Sequence, residues 1–341
     1  MSKVSHIKIK ENVFNEVAKA MKLADYENFL KGESIFIKVN ALSNNVVPGQ
    51  NTSPYVLEGV LKVLRSKFKN IFIGDANVAT VKQVEKAGTL WGYKSLAKKY
   101  NATWINLSKQ EKTRIEVNGK IFKHLYIPKI LTLVDCKITL PVLKMHNVTV
   151  LTAALKNQWG CIPEFRHNFH MVANEAIPEI NKALKFDFAV LDATICLEDN
   201  GPRTGKPIIR NSVFASNDLV ALDTVAAAFS GIEAEKVKYL KVAEELGVGT
   251  TKYNLVGDQL DVKKLKPAIA GEHPIVRWEL FFRKIPVINT IIFKTPLFNI
   301  PAFIASRYNS VIWYNLKGKK YAREVIKQNP LYNAEFKNLI K

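Results

Sequence analysis

Cysteine is scarce in this chain. The three present, Cys136, Cys161 and Cys196, lie far apart and form no Cys-x-x-Cys pair. That pattern writes neither a disulfide framework nor a cysteine-held iron–sulfur cluster or structural zinc, and it points to a reducing compartment. Long apolar runs are missing as well. No stretch of about 18 uncharged apolar residues occurs, which argues against a simple transmembrane helix. Met1 to Leu23 interleaves Lys, Glu and Asn with isolated apolar residues and has no apolar core of a secretory signal. We therefore expect a cytoplasmic protein. Arginine is rare: nine of the fifty basic residues, which leaves forty-one lysines. Sequence-reading nucleic-acid proteins place arginine where bidentate contacts are needed, so nucleic acid is not the expected partner. Gly-x-Ser-x-Gly, His-Glu-x-x-His and a Gly-x-Gly-x-x-Gly in the right setting are all absent, and serine hydrolase, zincin and dinucleotide readings lose support.

Acidic residues are also few. Thirty Asp and Glu against fifty Lys and Arg give a formal charge of +20 over 341 residues. A lysine-rich surface explains this without function; attraction to anionic substrates or membranes explains it with function. Otherwise the composition is that of a globular protein, 48% hydrophobic and 23% charged, long enough to bury a large core.

Residues 1–270 alternate strand-like and helix-like patterns, which predicts an α/β domain with a mostly parallel sheet and helices on both faces. Strands are expected at Ser34–Asn40, Asn70–Asp75, Ala102–Leu107, Cys136–Leu143, Phe186–Cys196 and Ile208–Ala215. Helical spacing covers Tyr55–Phe68, Val81–Tyr100, Val150–Gln158, Glu175–Leu184, Asp218–Ser230 and Glu233–Leu246. Ser53 and Asp218 are expected N-caps. Asn118-Gly119 predicts a tight hairpin turn within Arg114–Pro128.

Ligands of open α/β sheets bind outside the carboxyl ends of the strands. Polar residues recur at such ends here: Lys38 and Asn40, Gly74 and Asp75, Lys144 and His146, Asp199 and Asn200. Lys38, Lys144 and Lys156 are candidates for holding a phosphate or carboxylate. His146, which changes charge near neutral pH, is the candidate proton carrier or metal ligand. Asp75 orients groups or binds a cation, and Asn40, Asn157 and Asn200 fix ligand oxygens. Asp199-Asn-Gly-Pro-Arg-Thr-Gly-Lys-Pro207 is a glycine-punctuated loop in which Gly201 and Gly205 could turn N–H groups toward an anion, with Arg203 and Lys206 adding charge. It lacks Walker A spacing. Cys161, His167 and His170 do not have the spacing of a zinc site; Asp75, Asp199, Asp218 and Asp223 are oxygen donors for a hard divalent metal, with Asp199 the candidate ligand. Polar loops following strands, or a surface turn at 199–207, are the plainer reading of each piece alone.

These residues in this order resemble the domain of unknown function 362 family, from about Ser34 to Val256. The resemblance rests on Ile37-Lys-Val-Asn40, Ile73-Gly-Asp75, Ile127-Pro-Lys-Ile with Asp135, Leu140-Pro-Val-Leu-Lys-Met-His146, Ala154-Leu-Lys-Asn-Gln-Trp-Gly-Cys-Ile-Pro163 with His167, Glu198 to Pro207, and Asn217-Asp-Leu-Val-Ala-Leu-Asp223. It implies an α/β core with the strand-end residues at one face and assigns no reaction. Many relatives carry ferredoxin-like cysteine runs; this chain has none, so no cluster is expected as its cofactor.

Composition shifts after residue 270. Pro274–Lys341 holds twelve basic residues, three acidic ones and twelve of the thirty-four aromatics, so residues 271–341 read as a separate, basic, aromatic-rich helical unit. Between Lys284 and Arg307 the only charge is Lys294, and Pro286, Pro296 and Pro301 interrupt any long helix. Two readings stay open for 278–316: a helical cap buried on the core or on a second subunit, or attachment to an anionic membrane surface. The function expected is an enzyme with a strand-end pocket for a small anion; the alternative is a membrane-peripheral accessory protein.

Overall fold

Successive residues of the strand Ser34–Val39 point to opposite sides, and both sides are apolar. Ile35 and Ile37 join one core cluster and Phe36 the other. Such two-sided burial is the pattern of a sheet covered by helices on both faces. A computed structural model describes residues 1–78, 82–162, 166–268, 274–293 and 295–340. Its strands are β1 (Ser2–Lys8), β2 (Ser34–Val39), β3 (Asn70–Asp75), β4 (Thr103–Asn106), β5 (Lys112–Glu116), β6 (His124–Pro128), β7 (Cys136–Leu140), β8 (Val142–His146), β9 (Val150–Thr152), β10 (Phe188–Glu198), β11 (Lys206–Ser216) and β12 (Tyr253–Gly257).

The main sheet runs β12-β1-β11-β10-β7-β2-β3-β4, with β8 on β10 and β9 on β8. The block β10, β8, β7, β2, β3 and β4 is parallel throughout. Within this sheet, antiparallel pairing among the described residues enters at β1/β11, β10/β11 and β8/β9. The fold is thus α/β with a mostly parallel sheet, as expected. From β2 the chain moves outward to β3 and β4; from β7 it moves the other way, to β10. The strand order therefore switches between the neighbours β2 and β7, and a crevice opens at their carboxyl ends.

Several elements differ from the expectation. The N-terminal residues form β1, which pairs with β11 and β12, and then the helix Val13–Leu23 capped by Asn12. Val81, the expected start of one long helix, lies outside the described residues; the remainder is two helices, Val84–Leu90 and Tyr93–Lys99, split at Gly92. Pro141 cannot donate to a ladder and divides the expected strand Cys136–Leu143 into β7 and β8, so Lys144 and His146 sit within a strand rather than beyond one. Val150–Thr152 pairs with β8 as a strand, and the helix is reduced to Ala154–Asn157 followed by a 3-10 turn over Gln158–Cys161. Glu233–Leu246 is a short turn followed by the helix Lys238–Glu245. In the β5–β6 hairpin, Asn118-Gly119 starts the turn rather than forming its tip, because Gly119 N–H donates to Phe122 O. The tip is held instead by the Glu179 carboxylate, which accepts from the N–H groups of Lys120, Ile121 and Phe122. Ser53 and Asp218 cap their helices as expected.

The boundary placed at 270 falls among residues 269–273, outside the described ones. Beyond it the chain is not uniform. The helices Lys319–Lys327 and Pro330–Phe336 bury Val325, Ile326, Tyr332 and Phe336 in the same core cluster as the helices Val13–Leu23 and Pro54–Leu64. The Tyr332 hydroxyl donates to Asn211 Oδ1 at 2.6 Å, and Ser53 Oγ donates to Glu335. These last two helices complete a layer of the core. We expect Phe336→Ala to cost about 3–5 kcal/mol in urea unfolding, the usual scale for emptying a buried aromatic site. Leu316→Ala, at a position 73% exposed, is expected to stay within about 0.5 kcal/mol.

Candidate functional site

Lys38 is the last-but-one residue of β2, two places after Phe36 and on the same side of the sheet. That position carries its side chain into the crevice, where it is 1% exposed. Asp75 ends the neighbouring β3. The Lys38 ammonium lies 2.6 Å from Asp75 Oδ1, and Asp75 also accepts from the N–H groups of Ala76 and Ala41, both at 2.7 Å. Three donors thus hold this buried carboxylate in place. Gly160 lies directly over this pair: a Cβ there would stand 2.8 Å from Asp75 Oδ1 and 2.9 Å from Lys38 Nζ. Only glycine lets the backbone close on the ion pair.

Lys144 arrives from β8, which continues past the end of β7 along β10. It is fully buried and donates to Asn40 Oδ1 at 2.6 Å and to the Gln50 carbonyl. Asn40 in turn donates to Asn157 Oδ1 at 3.1 Å, and Asn157 donates to Thr139 Oγ1 at 2.9 Å. The relay runs on through Thr139 to Gln158 and from Gln158 to Asn181, whose amide is anchored on the Leu155 and Ile177 carbonyls. Each amide is thereby fixed in one orientation. Asn40 and Asn157 line the crevice, yet their polar atoms serve this network, so their work is to hold Lys144 in place.

Lys156 comes from the short helix Ala154–Asn157. Asp223 fixes that helix by accepting from the N–H groups of Ala154 and Leu155 at 2.6 and 3.1 Å. The Lys156 ammonium has no hydrogen-bond or ion-pair partner among the described residues. Beside it, the buried Thr152 hydroxyl is also without a partner. Arg166 closes the same space, its guanidinium donating to the carbonyls of Asn77, Trp159 and Ile162.

These side chains surround a pocket of about 90 Å³, lined by Lys38, Asn40, Asp75, Lys144, Lys156 and Arg166, with Gln83, Thr152, Trp159 and Pro202 among the rest. That is room for several waters or one small anionic group. Four cationic side chains face it against one carboxylate, and Lys38 already neutralises that carboxylate. Burial is costly for the surplus. It pushes the Lys144 ammonium down to about 7, with Asp75 and Asp192 opposing the fall, and Lys156 down to about 7, helped by Arg166.

Of the residues singled out in the sequence, Lys38, Asn40, Asp75, Lys144, Lys156 and Asn157 meet in this pocket. His146 does not line it. Its Nδ1 accepts from the N–H groups of Val148 and Thr149, and burial, followed by Lys156, drops it well below the usual histidine range. A histidine held neutral and facing its own turn is not placed to move a proton in the pocket. The 199–207 loop contributes Pro202 alone. Gly201 N–H donates to Asp199 O at 2.7 Å, and a Cβ on Gly201 would meet the Met145 carbonyl at 2.0 Å, so this glycine serves loop packing. Asp199 and Asn200 are half-buried in the loop, Gly205 is packed on the Glu198 carbonyl, Lys206 is an exposed first residue of β11, and Arg203 gives its carbonyl to Gln50. Among the described residues no three His, Cys, Asp or Glu side chains gather as a metal site. Asp218 and Asp223 are spent on helix starts.

Arg166, Thr152 and Gln83 were not anticipated. Arg166 had a signal: one of only nine arginines, inside the aromatic stretch between Cys161 and Val172. Thr152 had none, because it was assigned to a helix. His167, one residue on, stacks on Phe298 with ring centroids 3.6 Å apart, and its Nε2 lies 3.2 Å from the Phe293 carbonyl. The C-terminal segment thus touches the turn that carries Arg166. Pro163 of the family motif and Lys294 lie outside the described residues.

The fold and pocket define an α/β protein with a cationic crevice at the switch point of a mostly parallel sheet. Residues 35–228 match the family described as "Domain of unknown function (DUF362)", more than half of the chain. The chain belongs to that family. It is 29% identical over 236 residues to a thylakoid-associated protein of Synechocystis sp., a match covering 66% of this chain and 71% of the relative. Among solved structures it resembles the lactate racemase apoprotein of Thermoanaerobacterium thermosaccharolyticum, at 14% identity and TM-score 0.40, over 72% of this chain and 57% of the racemase. It also resembles a Thermotoga maritima protein from a structural genomics consortium, at 11% identity and TM-score 0.33, over 55% and 50% of the two chains. The chain therefore spans little more than half the length of these structures, and superposition at that level carries nothing about activity. No helix among the described residues is long and apolar enough to cross a membrane.

A lysine whose folded value is depressed costs stability wherever the unfolded chain would hold the proton more firmly. For Lys156 the window runs from about pH 7 up to the ordinary lysine value of 10.5: stability rises with pH across it, and below pH 7 the full cost is paid. We expect Lys156→Met to raise stability at pH 7 by about 1–2 kcal/mol and to flatten the rise in unfolding free energy between pH 7 and 10. Urea unfolding at several pH values checks both.

Proposed function

We propose that the pocket binds a small anion, a phosphate or carboxylate group, and that the protein is an enzyme acting on the molecule that bears it. The observation that carries this reading is the Lys156 ammonium, half-buried and without a counter-charge among the described residues, in the same pocket as an unpaired, buried Thr152 hydroxyl. A protein keeps so costly an arrangement where a ligand supplies the missing charge and hydrogen bonds. Lys38 and Arg166 are the fixed cations, Lys144 is a positioned cation held by Asn40 and Gln50, and Thr152 offers a donor to a ligand oxygen.

Lys156 is the proton carrier. An amine near pH 7 is present in both forms, which is the condition for general acid–base work. Asp75 pairs with Lys38 and holds its ammonium at the pocket wall. Asp199, the expected metal ligand, lies off the pocket. The free cysteines fit the cytoplasm as the place of action.

Calorimetric titration with inorganic phosphate and with malonate tests the site. Binding is expected to weaken above pH 7, approaching tenfold per pH unit for each lysine that must be reprotonated. Lys156→Met and Lys144→Met are expected to lose at least about tenfold in affinity, one charge-assisted contact being worth 1.4 kcal/mol or more. His146→Ala is expected to retain it. Absence of binding by both probes, or equal binding by wild type and both lysine variants, would end this reading.

A further inference from the structure

Apolar side chains are not spread evenly over the surface. Of the eighteen large apolar side chains that are exposed among the described residues, eleven fall within 278–316, at 44–73% exposure. Trp278, Phe281, Ile300, Phe303, Ile304 and Leu316 are among them, each more than half exposed. Exposed patches of this kind mark interaction surfaces. The segment is a series of short helical pieces, Pro274–Arg283, Pro286–Ile288, Asn289–Phe293, Asn299–Arg307 and Tyr308–Gly318. None is long enough to span a bilayer. It is nevertheless anchored to the body of the protein: Asn45 donates to the Ser310 carbonyl, Trp313 packs with Val47, and Phe298 stacks on His167.

Charge selects the occupant. Residues 277–320 contain eight basic side chains and one acidic one, Glu279, which is paired with Arg283 at 2.9 Å. A second copy of the same face would bring two such surpluses together, on chains that each carry +20. An anionic bilayer reverses the sign: lysines and arginines meet lipid phosphates while Trp, Phe and Ile enter the headgroup boundary.

We propose that residues 278–316 form a monotopic docking surface for an anionic lipid bilayer. The segment lies flat in the interface, with Trp278, Phe281, Phe303 and Ile304 in the acyl boundary and Arg277, Lys284, Arg307 and Lys317 at phosphate level. The surface stands independently of the pocket, although the Phe298–His167 stack places it against the turn that bears Arg166.

The test is co-sedimentation of the full chain with vesicles of phosphatidylcholine alone and of phosphatidylcholine mixed with phosphatidylglycerol. Binding is expected to the mixed vesicles, at least tenfold above the neutral ones, and to fall as salt rises. The exposed-site variants Phe281→Asp and Phe303→Asp/Ile304→Asp, which remove no buried side chain, are expected to lose tenfold or more while unfolding in urea as the wild type does. Three results would overturn the proposal: no sedimentation with either vesicle, variants that bind as well as the wild type, or a dimer in sedimentation velocity that the same variants dissociate.

Discussion

Four cations share one small pocket with a single carboxylate, and the rest of the site is arranged around what that costs. Taking an ammonium out of water is expensive unless a counter-charge or a full set of acceptors replaces the solvent. Lys38 has Asp75, Lys144 has two neutral acceptors, and Arg166 has three carbonyls. Lys156 has no such partner among the described residues. The relay from Asn40 to Asn181 and the glycine at 160 are the scaffolding that keeps these charges close instead of letting them swing apart.

The position of the pocket follows from topology. Strands β2 and β7 are neighbours whose onward connections leave in opposite directions, which leaves a gap at their carboxyl ends. Residues of β2, β3 and β8 reach that gap from the sheet, and the Ala154–Asn157 turn reaches it from above, held down by Asp223. That carboxylate is itself raised to about 7 by burial. Stability has been given up at several points of one small volume, as expected where a site is kept for binding rather than for folding.

Much of this was legible in the sequence. The parallel sheet could be read from buried apolar runs such as Phe186–Cys196, and the pocket lysines at strand ends could be read because polar residues stand out against those runs. What failed were features decided by tertiary contact. His146 looked like the chemical group of its motif, but its ring faces its own turn, which no spacing rule reveals. The glycine loop at 199–207 had the composition of an anion cradle; its glycines answer instead to the Met145 and Glu198 carbonyls. Val150–Thr152 had helical spacing yet became a strand because β8 offered it a ladder. The C-terminal residues had one composition and two fates: 319–340 complete the core, whereas 278–316 leave eleven large apolar side chains exposed, a division set by which apolar positions find a partner.

The most direct measurement is ¹³C NMR of the full chain with labelled lysines, titrated with and without inorganic phosphate, with Lys144→Met and Lys156→Met for assignment. Two lysines are expected to titrate near pH 7 in the free protein and to move up by a unit or more when phosphate is bound, as a counter-charge restores the ammonium form. Forty-one lysines all titrating above pH 10, or two near-neutral lysines indifferent to phosphate, would contradict the view of this pocket as an uncompensated cationic site awaiting an anion.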